Sequence, residues 1–106
     1  MEEVRLQFKD LPWETPAPGV RQKVVIRGKQ RLRIVEFTDA FVEEDWCTAG
    51  HVGYVLSGTM EVSFNGRMQR FQAGDGLWIE AGEASRHKVM MQPGTSVELL
   101  LFETLA

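Results

Sequence analysis

The chain has 106 residues, 43% of them hydrophobic and 25% charged, which suits one globular domain with a real core and no need of disulfide staples. A net charge of −3 argues against nucleic acid as a partner, since phosphates call for a basic face. One cysteine, Cys47, rules out an internal disulfide framework. The charged start (MEEVRLQFKD) lacks the apolar run of a secretory signal, and no stretch reaches the roughly 20 apolar residues of a membrane span. A cytoplasmic protein with neither a nucleic-acid nor a membrane partner is expected.

In chain order, Val4–Phe8 alternates apolar and polar residues and reads as a possible edge strand. Leu11–Gly19 holds three of the four prolines, which forbid helix and suggest an extended arm. Short runs with strand chemistry follow at Lys23–Arg27, Arg31–Phe37, His51–Leu56, Thr59–Phe64, Met68–Phe71, Gly76–Ile79, Lys88–Met91 and Val97–Phe102. Glycine-bearing turns separate most of them. Asn65-Gly66, between MEVSF and RMQRF, is the sequence of a two-residue hairpin turn, in which both positions take positive φ. No helical period persists, so the chain reads as all-β, a sandwich or barrel. Residues 1–20 are expected to form an arm with an edge strand, and residues 21–106 the barrel. A free apolar strand in that arm, beside an open sheet edge, invites pairing with a second copy. A homodimer is the expectation.

Only two histidines occur. His51 opens GHVGYVLSG and His87 closes GDGLWIEAGEASRH, with fifteen residues between Gly58 and Gly74. This pattern resembles the cupins, a family of jelly-roll barrels (double-stranded β-helices) with two conserved motifs. His51 and Gly58 stand at the Glu-x6-Gly spacing of the first motif, and GYVLSG with TMEVSFNG is similar to its strand and hairpin. Gly74-Asp75 with Ile79 and Gly82 resembles the opening of the second motif. The resemblance covers roughly residues 45–91.

Counted back from His51, the two histidines of the first motif fall on Asp45 and Cys47, or on Glu44 and Trp46 with a gap one residue longer. The family's proline is Glu80 here. Its second-motif histidine falls on Ser85, two residues before His87. Residues two apart on a strand share a face, so His87 faces inward if Ser85 does; a longer turn at Glu83-Ala84 would instead seat His87 in the ligand position itself. By the same parity Asp45, Cys47 and His51 share a face, provided Ala49-Gly50 does not break the strand. The resemblance thus implies metal ligands among His51, His87, Cys47 and Asp45. Thiolate and imidazole suit zinc or iron(II) better than magnesium or calcium.

Each residue also has a plainer reading. Cys47 is a small apolar side chain as often as a ligand, Asp45 ends an acidic run typical of a solvated loop, and the histidines can simply pair. Trp46, Tyr54, Trp78, Phe71, Met60, Met68, Met90 and Met91 are candidates for core or pocket lining, although Tyr54 has opposite parity to His51. Met91 shares parity with His87 and would dry the pocket. Arg31 and Arg33 read as solvent-facing. Two functions stay open: a small-molecule-binding barrel built around a divalent metal, which as an enzyme would be a dioxygenase, isomerase or lyase, and a metal-free ligand-binding or regulatory module.

Overall fold

A computed structural model describes residues 4–105. Eight strands are present among them: β1 (Glu14–Ala17), β2 (Val20–Arg27), β3 (Gln30–Thr38), β4 (His51–Phe64), β5 (Arg67–Gln72), β6 (Gly76–Ile79), β7 (Lys88–Met90) and β8 (Ser96–Thr104). Hydrogen bonding runs in the order β1-β2-β3-β8-β4-β5, and β6 and β7 both add to β4. Every pairing is antiparallel. The result is a curled, almost wholly β jelly-roll.

β4 is the hub. Its first half pairs with β8 and β6, and its second half with β5 and β7. The change of partner has a local cause. A register shift between Val55 and Ser57 adds a residue to β4, and a bulge of this kind bends the strand and reverses which parity faces inward. Val55 is buried before it, and Met60 and Val62 after it. Gly58 follows the bulge with φ +79°, where a Cβ would lie 2.0 Å from the Ser96 carbonyl oxygen; only glycine fits. The runs expected as two strands, His51–Leu56 and Thr59–Phe64, are therefore one bent strand.

The Asn65-Gly66 hairpin forms as expected, with φ of 53° and 98° and Phe64 paired to Arg67. Alternation along the central strands builds the core. Val97, Leu99 and Leu101 of β8 and Val35 and Phe37 of β3 point inward and are buried. Val35, Val55, Val62, Val97 and Leu99 are sealed almost completely, each worth roughly 1.5–3 kcal/mol of apolar burial.

The N-terminal arm departs from expectation. Val4–Phe8 is not a strand: residues 5–7 carry no regular structure and Phe8–Asp10 form one 3-10 turn. The edge of β2 that such a strand would join is occupied by β1, which is itself the outermost strand of the sheet. Pro16 is tolerated in β1 because an edge strand leaves one side of its backbone unpaired. Trp13 ties the arm down, with the Arg21 guanidinium 4.0 Å and the Lys23 ammonium 4.9 Å from its ring centre. Several residues expected as core or pocket lining are not core: Trp78 is 73% exposed, and Tyr54, Met68 and Met90 are exposed too, although Trp78 and Met68 line an open groove. Among the described residues no helix is long and apolar enough to cross a membrane.

Candidate metal centre

Three of the four residues expected as ligands come together. The ligand atoms of Cys47, His51 and His87 all lie within 4.8 Å of one another. They share a cavity of about 110 Å³, lined also by Phe37, Met60, Val62, Leu77, Ile79, Val89, Leu99 and Leu101, with Arg33 and Glu43. His51 is the first residue of β4 and faces inward with Val55. Cys47 and His87 lie outside the named strands but form a bridge to each other. Each donates its backbone N–H to the other's carbonyl, at 2.8 and 3.0 Å. Directly opposed residues of an antiparallel pair project to the same face, so this one bridge carries thiol and imidazole inward together. The chain reaches it through a 3-10 turn at Glu83–Ser85.

Asp45 does not join them. It is exposed, at a bend two residues before Cys47. Parity carried from His51 to Asp45 needed an unbroken strand, and residues 48–50 are irregular. Trp46 turns outward beneath the Arg86 and Lys88 side chains, 4.8 and 4.9 Å from its ring centre. Met91 packs against the core, but Val89 is the residue of that parity that lines the cavity.

A fourth residue, Glu103, escaped the sequence reading. It is 4% exposed and accepts hydrogen bonds from three side chains. Arg33 clamps it with Nε on Oε1 and Nη2 on Oε2, both at 2.9 Å, and Arg31 adds Nε on Oε1 at 2.9 Å. Nδ1 of His51 lies 2.5 Å from Oε2. The sheet register explains the convergence. Glu103 pairs with Arg31 across β3–β8, and Arg33, two residues on, lies diagonally beside it. On the other side Val52 pairs with Phe102, so His51 stands opposite Glu103. Arg31 and Arg33 are thus not solvent-facing as expected; Arg33 lines the cavity. The signal was in the alternation. Arg31 and Arg33 share parity with buried Val35 and Phe37, and Glu103 with Val97, Leu99 and Leu101.

These contacts set the charges. Hydrogen bonds from His51 and then His87 lower the Cys47 thiol to about 6. Burial opposes a charged His51, but its contacts with Cys47 and Glu103 outweigh that and raise it to about 9. Burial likewise opposes a charged His87, yet the Cys47 contact and the Ser85 carbonyl raise it. Glu103 is held down at about 2, against its burial, by His51, Arg33 and Arg31. Near neutrality the cluster is therefore a thiolate facing imidazolium.

The donors suit zinc or iron(II). Bonds of about 2.3 Å to sulfur and about 2.0 Å to nitrogen, at a tetrahedral angle, put the two donors about 3.5 Å apart. Cys47 Sγ and His51 Nε2 are 3.7 Å apart. Nδ1 of His87 is 3.0 Å from the Ser85 carbonyl oxygen, and Nδ1 of His51 is taken by Glu103, so Nε2 is the nitrogen each ring would bring to an ion, His51 by exchanging its thiol contact for the metal. A second, open groove of about 560 Å³ lies beside β5 and β6, lined by Phe64, Met68, Trp78 and Glu80 among others. It contains none of the three donors and shares only Leu77 and Ile79 with the inner cavity.

No family model matches the chain, and no curated protein does. Solved structures do. The polyketide cyclase RemF from Streptomyces resistomycificus aligns with TM-score 0.80 and 20% identity, over 99% of this chain and 81% of its own. An RmlC-like cupin from Shewanella frigidimarina aligns with TM-score 0.77 and 17% identity, over 99% and 93%. KdgF from Halomonas sp. aligns with TM-score 0.70 and 23% identity, over 92% of each. At these identities the likeness speaks for architecture, and with the strand order and bent β4 hub it identifies the chain as a cupin in fold.

Proposed function

We propose that this cupin binds a small molecule around one divalent metal, zinc or iron(II), held by Cys47, His51 and His87. The observation that carries the reading is the convergence of one thiol and two imidazoles, both rings with Nδ1 engaged by an oxygen and His51 Nε2 set 3.7 Å from the thiol. Three protein donors are what catalytic zinc sites use, leaving one position for substrate. A bound metal would supply Lewis acidity there. The chain's own residues do the rest: the apolar walls exclude water, and the cavity of about 110 Å³ admits only a small ligand or the end of a larger one. Elemental analysis of untagged protein tests this, with His51→Ala and His87→Ala as controls. About one ion per wild-type chain and none in the controls is the expected result; a metal-free wild type that also fails to take up added zinc or iron(II) contradicts it.

A second reading has its own observation. Thiolate and imidazolium satisfy each other without an ion, and among the described residues no buried side-chain polar atom lacks a partner. A metal-free ligand-binding module is therefore the alternative, and the same elemental analysis separates the two. A reduced cytosolic setting belongs to the first reading, because ligation needs a free thiol. Homodimerisation is also proposed, with the outer edge of β1 in support in place of Val4–Phe8. Light scattering that returns the monomer mass of 12.0 kDa at tens of micromolar would rule it out.

A further inference from the structure

The geometry points to Glu103 as a positioning residue for this site: its carboxylate, gripped by Arg31 and Arg33, holds Nδ1–H of His51 and so aims Nε2 at Cys47 and His87. The inference deepens the metal reading and rests on it for the affinity measurement below.

Three observations carry it. First, Glu103 is buried where the alternation of β8 calls for an apolar residue, in the row of Val97, Leu99 and Leu101. A carboxylate there is costly unless fully paired, so a core that needed only packing would be served by another leucine. Second, the arginines approach from the β3 side and leave one face of the carboxylate for His51. Arg33 uses both oxygens, and Oε2 is the atom shared with Nδ1. The fork fixes the carboxylate plane, and the carboxylate then fixes the ring. Arg33 is itself held, its Nη1 donating to Gln22 Oε1 at 2.8 Å. Third, the other imidazole is oriented in the same sense by different means: Nδ1 of His87 is 3.0 Å from the Ser85 carbonyl oxygen. Two rings from unrelated stretches of chain thus both have Nδ1 engaged by oxygen, with their ligand atoms within 4.8 Å of one thiol. Hydrogen bonding of a ligand imidazole to carboxylate is a recurrent way to fix its tautomer and strengthen it as a donor.

The experiment has two arms. In metal-free, nitrogen-15-labelled wild type, imidazole spectra should show a slowly exchanging, downfield proton on Nδ1 of His51, and Glu103→Leu should abolish it. In competition against a chromophoric chelator, Glu103→Gln should bind cobalt(II) or zinc about 10–100-fold more weakly than wild type while remaining folded by circular dichroism. A purely structural Glu103 would leave the affinity of the folded variant unchanged, and that result overturns the proposal. So does a wild-type His51 whose Nδ1 carries no such proton. Should the Glu103 variants not fold, Arg33→Gln, which removes the fork on both carboxylate oxygens, should still weaken binding, and unchanged affinity there counts against the proposal. A wild type that binds no metal defeats the metal reading alone, since the spectra of the metal-free protein still decide whether Glu103 orients His51.

Discussion

The sheet β2-β3-β8-β4 and the irregular segment 39–50 serve the same site by different means. The sheet delivers Arg31, Arg33, Glu103 and His51 through register, each position following from its neighbours along a continuous ladder. Segment 39–50 delivers Cys47 through one isolated bridge to His87, with a second bridge, Val42 to Met90, upstream. Glu43 adds a tie, its carboxylate accepting the Val89 N–H at 2.7 Å. A ladder shares strain over many bonds, whereas an isolated bridge has no neighbours to restore it. The base of the site thus rests on continuous ladders, and the side that supplies the thiol on a few separate ties, the Thr48 carbonyl to Gly82 N–H among them.

This contrast can be broken from the sheet side first. Leu99→Ala removes a sealed side chain between β3 and β4 and should cost about 2–5 kcal/mol, seen as a lower urea midpoint with unchanged slope. Gly58→Ala forces a Cβ against the Ser96 carbonyl at positive φ and should cost about 1–3 kcal/mol, by the same measurement. A midpoint within error of wild type for either would mean that β4 is not the hub. By contrast Cys47→Ala should change the midpoint by less than about 1 kcal/mol while sharply weakening zinc or iron(II) binding. Asp45→Ala should alter neither, since that side chain is in solvent.

Proton linkage sharpens the comparison. Metal must displace a proton from His51, raised to about 9, so affinity should fall at least about tenfold per pH unit as pH drops below that value, and more steeply where His87, also raised, is protonated as well. It should fall more steeply below about 6, where Cys47 is also protonated. A pH-independent affinity from 6 to 9 would show that His51 is not a ligand. Glu103 links folding to pH in a lower range. Its depressed value means that its stabilising contribution is present above 4.5 and lost as pH falls toward about 2. Acid unfolding of wild type should therefore be steeper than that of Glu103→Gln.

Much of the barrel was legible because period-two alternation and turn chemistry act locally. Asn65-Gly66 needed nothing beyond its own two residues, and His51 and His87 were marked by their place beside glycine-bearing turns. What failed depended on continuity or on distant partners. Asp45 was drawn into the site by parity across residues 48–50, where the chain is not a strand. Val4–Phe8 has a strand's pattern, but β1 holds the edge of β2 in its place. Arg31 and Arg33 looked solvated because a charged residue at inward parity makes sense only once its counter-charge is known. That counter-charge, Glu103, lies some 70 residues away in sequence and across a ladder whose register the sequence does not spell out.

The central claim is that Cys47, His51 and His87 coordinate one ion together. Titration of the metal-free protein with cobalt(II), followed by absorption, tests it most directly, because thiolate ligation gives a charge-transfer band that imidazole alone does not. The account predicts saturation at one cobalt per chain with that band present, and its loss in Cys47→Ala. A titration with no saturable spectrum, or the same band in Cys47→Ala, would contradict it.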